Sequence, residues 1–119
     1  MIISGNTALA AGASNNNIFA GTYIEIMPAD GVLQFGFTTG DLAGITLADI
    51  EVDVMCGMEL IANNYNPRAL GATPQMPIFP DDFLLSCPAL EGTRIIGKVR
   101  NLDAANAAVL HWSVVFDPA

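Results

Sequence analysis

Few residues in this chain are of a type that does chemistry. There is one histidine, His111, inside an alternating run of residues. A nucleophilic triad needs a nucleophile, a base and an orienting acid, and here the base could only be His111. Neither Cys56 nor Cys87 stands in a nucleophile context. His111 itself reads as a half-buried or surface strand residue. The carboxylates Glu51, Asp53 and Glu59 share one face, and Asp81 and Asp82 follow a proline. Paired carboxylates can cleave glycosides or bind calcium. No D-x-D-x-D-G loop accompanies these, and a solvated strand face accounts for them. No phosphate-cradling glycine motif is present. One histidine and two scattered cysteines do not make a zinc set. The expectation is therefore a non-enzyme with no catalytic residue, no cofactor and no metal site.

The two cysteines form no C-x-x-C pair. They read as reduced, buried thiols of a protein made in the cytosol, with a single disulfide left open. The cations are more unusual. Three of the four, Arg94, Lys98 and Arg100, fall on one face of one strand with Ile96. They can pair across strands with Glu51, Asp53 or Glu59. Alternatively, they can meet an acidic surface on a neighbouring subunit and set its register. The other candidate partner-contact residues are Asn15, Asn16 and Asn17, together with Pro74, Pro77 and Phe79.

The elements that must position these residues read as strands. Tyr23, Glu25 and Met27 alternate with Thr22, Ile24 and Ile26. Pro28-Ala29-Asp30-Gly31 is a turn signal, and Val32 to Thr38 alternates again, which predicts a hairpin. Gly36, in mid-strand, suggests a bulge or a close backbone approach. Thr39 to Ala48 reads as a glycine-bearing connector. Asp49 to Ile61 alternates for over ten residues and predicts one long strand with a wet, acidic face. Asn63 to Pro80 holds four of the seven prolines and predicts an extended loop outside any sheet. Short strands follow over 81–87 and 93–101, and a last strand over 108–117. In that last strand Ala108, Leu110, Trp112, Val114 and Phe116 face the core, with Trp112 as its anchor.

These signals predict an all-β fold, an antiparallel β-sandwich of jelly-roll-like kind, with sandwich and barrel both open. Residues 1–17 read as an N-terminal arm or loosely tied edge segment. Residues 18–119 form the single β-sandwich domain. The chain has 119 residues, 52% hydrophobic and only 13% charged. That balance excludes disorder and suggests apolar surface facing another subunit. With 4 cations against 12 acids, the net charge is −8. Such a chain is not expected to coat nucleic acid or an anionic membrane. Residues 1–14 carry no cation and no continuous apolar stretch, so they do not read as a signal peptide.

Three segments carry a resemblance: NNNIFAGTYIEIMPADGVLQFGF, then MPIFPDDFLL, then GTRIIGKVRNLDAANAAVLHWSVVFDP. In order they give an Asn-rich entry into a hairpin, a P-x-x-P-D-D-F segment and a penultimate strand ending V-R-N. A small-residue turn and a final strand closing on Asp-Pro complete the set. Together they resemble small tailed-bacteriophage virion proteins of the head decoration, or cement, type. The resemblance implies a subunit that sits on the outer capsid surface, often as a homotrimer. It would clamp neighbouring major capsid proteins without an active site, after synthesis in the host cytoplasm. The alternative is a carbohydrate- or ligand-binding β-module of a virion fibre or tip, with Tyr23, Tyr65 and Phe79 as its aromatic candidates.

Overall fold

Alternating apolar residues need two sheets to bury their inward faces, and the chain supplies them by crossing repeatedly from one to the other. A computed structural model describes residues 1–40, 50–69, 77, 81–103 and 107–118. The strands are β1 (Ile2–Leu9), β2 (Ser14–Asn15), β3 (Gly31–Gly40), β4 (Ile50–Cys56), β5 (Glu59–Tyr65), β6 (Arg68–Ala69), β7 (Leu85–Ala89), β8 (Ile95–Asn101) and β9 (Ala108–Pro118). One sheet runs β1-β9-β3-β6, with β7 also on β3; the other runs β2-β8-β4-β5. All pairings are antiparallel except β3 with β6. The protein is thus an all-β sandwich of two sheets, and no helix occurs among the described residues.

The core follows from the period-2 patterning. Leu33, Phe35 and Phe37 of β3 lie beside Phe116, Val114 and Trp112 of β9, all buried. They face Ile50, Val52 and Val54 of β4 and Ile95 and Val99 of β8, which are fully buried. Between the sheets, at the core-facing position of β8 between Ile95 and Val99, stands Gly97. A Cβ there would lie 2.6 Å from a ring carbon of Phe19. The missing side chain admits Phe19, which packs on Trp112 and on Phe35 at ring separations of 5.2 and 5.8 Å. The Asn17 side chain fixes this insertion: its Oδ1 accepts from Phe19 N at 3.0 Å and from Gly97 N at 3.1 Å.

Several expectations require correction. Residues 21–27 are not a strand and make no hairpin with β3. The chain turns at Thr22 N–Phe19 O (3.0 Å) and Glu25 N–Thr22 O (3.2 Å), burying Ile24 and Met27, and only Ile26 bridges a strand-like partner, Arg94. The residue types alternate as in a strand, but burial falls on Ile24 and Met27, three residues apart, as suits a turning segment. The long strand over 49–61 is two. Gly57 adopts φ 62°, a left-handed conformation that favours glycine, and the chain reverses into the β4–β5 hairpin. The 1–17 arm is also not free: residues 2–9 form an edge strand along β9 and residues 14–15 pair with β8. The Pro-rich stretch enters the sheets at 63–65 and 68–69, where β6 runs parallel to Thr38–Thr39. Gly36 does mark a close approach. A Cβ there would meet Phe83 and Pro77 at 2.9 Å, so those two side chains cover the outward face of β3. The connector expected over 39–48 lies mostly outside the described residues.

The thiol reading is overturned as well. Cys56 of β4 and Cys87 of β7 are bonded, and no described cysteine is free. The bond ties the two sheets together, which the 31-residue sequence separation concealed. His111 is buried rather than half-buried, on the outward face of β9 between Asn6 and Thr38.

Candidate functional site

Two surface regions carry features beyond core formation. The first is the outward face of the β2-β8-β4-β5 sheet. Alternation places Arg94, Ile96, Lys98 and Arg100 there together, as their sequence spacing requires. Across the register Arg100 opposes Glu51, Lys98 opposes Asp53, and Ile96 opposes Met55. Arg100 donates from Nη1 to Asp53 Oδ2 at 2.8 Å and from Nη2 to Asn64 Oδ1 at 2.6 Å. Its Nε and Nη2 reach Glu51 Oε1 at 3.4 and 3.3 Å. The guanidinium hydrogen bond holds the Asp53 carboxyl below the usual carboxylate range. Burial opposes this, by less than the Arg100 hydrogen bond, and the backbone N–H of Asn64 and the charges of Arg100 and Lys98 add smaller lowering effects. Asn64 adopts φ 56°, and its N–H donates to Asp53 Oδ1 at 2.7 Å. Arg100 is therefore a structural cross-brace of β8, β4 and β5. Arg94 is more exposed and reaches Glu25 Oε2 at 3.4 Å. Lys98 is exposed. Glu59, the third acid considered for pairing, lies in the hairpin opposite Cys56 instead.

The other sequence candidates separate. Asn15 caps a local turn by accepting from Asn17 N at 3.0 Å, Asn17 anchors Phe19, and Asn16 is exposed. Pro77 packs over Gly36. Pro74 and Phe79 lie outside the described residues. Tyr65 stacks obliquely on Phe37 at 6.2 Å, and burial pushes its hydroxyl pKa up, with Asp82 adding to the effect. Tyr23 is exposed on the 16–27 segment. Of the two described aromatics expected for a glycan platform, Tyr23 is exposed while Tyr65 is half-buried against Phe37.

The second region was missed by sequence reasoning. At the disulfide-bonded end of the sandwich, a cavity of about 630 Å³ is lined by Asp30, Gly31, Val32, Cys56, Pro88, Ala89, Leu90 and Thr93. Around it the chain is stitched by Met27 N–Thr93 O at 2.8 Å, Gly92 N–Met27 O at 2.9 Å and Gly57 N–Arg94 O at 2.8 Å. Asp30 Oδ1 accepts from Glu91 N at 2.8 Å, holding the β7–β8 turn against the start of β3. Of the apolar side chains near these bonds, Leu90 (69% exposed) and Val32 line the cavity, Met58 (99% exposed) stands on the turn just after Cys56, and Ile26, bridged to Arg94, is also exposed. The sequence did hold a signal. Met58 and Leu90 sit inside the turn sequences C-G-M-E and P-A-L-E-G, where polar residues are usual. The acids Glu25, Asp30, Glu59 and Glu91 belong to the same turns. An apolar patch among charges is the composition of a protein-contact surface. Among the described residues no cluster of His, Cys, Asp and Glu could hold a metal ion.

No family model matches the chain, and no curated protein matches it in sequence.

Proposed function

We propose that this chain is a non-enzymatic structural protein of a bacteriophage virion. It binds the outside of the capsid as a homo-oligomer and cements neighbouring major capsid subunits. The observation that carries the reading is the apolar end formed by Val32 and Leu90, which line the cavity, with Met58 fully exposed on the turn that follows Cys56 of the same lining. Large apolar side chains held on turns by backbone hydrogen bonds are a rigid surface that another protein would cover. The net charge of −8 favours a partner other than nucleic acid and a place outside the shell. The Cys56–Cys87 bond suits a particle that leaves the reducing cytoplasm in which its parts are made. The three resembling segments supply the class of partner. In this reading the exposed cations Arg94 and Lys98 lie at the polar margin and set register.

The test is to add the purified protein to shells assembled from the major capsid protein of the same genome. It is expected to sediment with the shells to a saturating ratio and to raise their melting temperature. Shells whose melting is unchanged at saturating protein would refute cementing.

A further inference from the structure

The four outer strand edges of the sandwich are not alike. On one sheet, β2 is only two residues long, and the opposite edge strand β5 is paired with register shifts and holds Asn64 at φ 56°. On the other sheet, one side ends in the two-residue β6 and in β7, which contains Pro88. Short strands, bulges and proline are the devices that prevent edge pairing. The remaining edge is β1, Ile2–Leu9. It is eight residues long, with no charge, no proline and no bulge, and pairs in unbroken register with β9. Among the described residues no strand lies on its other side.

The backbone alternation fixes what that edge offers. Met1 and Phe116 exchange both hydrogen bonds, at 3.2 and 2.8 Å. In an antiparallel ladder such pairs recur at every second residue. Ile3, Gly5, Thr7 and Leu9 therefore bond to β9. Ile2, Ser4, Asn6 and Ala8 turn their N–H and C=O groups to the open edge.

We infer that β1 is a self-association edge, pairing antiparallel with β1 of a second copy of this chain to continue the sheet across both molecules. A second copy is the fitting occupant for two reasons. Its own β1 is likewise the one long, unblocked edge among the described residues, so two copies present matching surfaces. Each copy also carries a net charge of −8, and this strand is an uncharged strip where two copies approach with least local repulsion. A two-fold axis normal to the sheet keeps core faces on one side, as the period of two requires. With the axis at Gly5, Ile2 opposes Ala8 of the second copy and Ser4 opposes its Asn6. All four outward residues of each strand then find hydrogen-bonded partners. Gly5 meets Gly5 at the close, non-bonded position. A Cβ on Gly5 would lie 2.6 Å from the Trp112 ring, so this residue keeps the strand's centre thin. The contact is isologous and closes at two copies, in contrast to the trimers that the resemblance implies.

The test is mass in solution by light scattering, from about 1 μM to about 1 mM, with amide exchange on the same samples. The full chain is expected to reach twice its 12.5 kDa mass as concentration rises. The amides of Ile2, Ser4, Asn6 and Ala8 are expected to become protected in step. Asn6→Pro removes an outward N–H without removing a bond to β9, and should remain at the monomer mass. Asn6→Lys, which keeps the backbone intact, should need about tenfold more protein to associate. A wild-type monomer throughout the range, a trimer, or a dimer unaltered by either variant would each overturn the inference. The inference stands apart from the capsid reading: a dimer that ignores shells supports it while refuting the other.

Discussion

Phe19 meets Trp112 edge to face, with ring centroids 5.2 Å apart and planes at 88°. One ring belongs to a segment with no regular structure and the other to the longest strand. Their contact, with the Asn17 bonds behind it, closes the core between the sheets. Trp112→Ala should destabilise the fold by about 3–5 kcal/mol. Gly97→Ala should cost about 1–3 kcal/mol, because the new methyl must displace Phe19. Urea unfolding of both variants measures the two effects, and an unshifted midpoint for Trp112→Ala would contradict the anchoring role.

The disulfide should contribute measurably. Cys56 and Cys87 close a loop with a separation of 31 residues, for which chain entropy gives about 3–4 kcal/mol. Reduction, or the paired change of both cysteines to alanine, should lower the melting temperature of an otherwise folded protein. Equal melting temperatures with and without reductant would contradict a bond between the sheets.

Asp53 gives a pH dependence with a defined sign. Its folded pKa is held down, chiefly by the Arg100 hydrogen bond. That stabilisation is fully present above about pH 4, near the ordinary Asp value, and is lost as pH falls through the lower folded value. Asp53→Asn should therefore lose less stability than wild type on going from neutral pH into that acid range. Arg100→Ala should cost about 1–2 kcal/mol at neutral pH, since Glu51 and Asp53 would then face each other without their shared cation. Chemical denaturation at pH 6 and pH 3 measures both.

Much of the fold was legible because strand alternation is a local property. β3, β8 and β9 follow directly from it, and so does the grouping of Arg94, Lys98 and Arg100. What alternation does not carry is the sheet to which a strand belongs. Residues 21–27 alternate in residue type while serving as a plug buried at Ile24 and Met27, and β7 and β8 are consecutive yet lie in different sheets. The Cys56–Cys87 bond depends on that crossing, so two apparently unrelated cysteines meet. The apolar end was hidden for the same reason. Val32 belongs to β3, Leu90 to the β7–β8 turn and Met58 to the β4–β5 turn beside Cys56, and only the crossovers bring these elements to one cavity.

The most direct measurement of the central claim is co-sedimentation of wild type and of the Met58→Asp, Leu90→Asp double variant with assembled shells. Both substituted side chains are largely exposed, so the fold should survive, as circular dichroism will verify. Wild type should saturate the shells, and the folded double variant should stay in the supernatant. Wild type that stays in the supernatant, or a double variant that binds as well as wild type, would contradict a shell-facing apolar end.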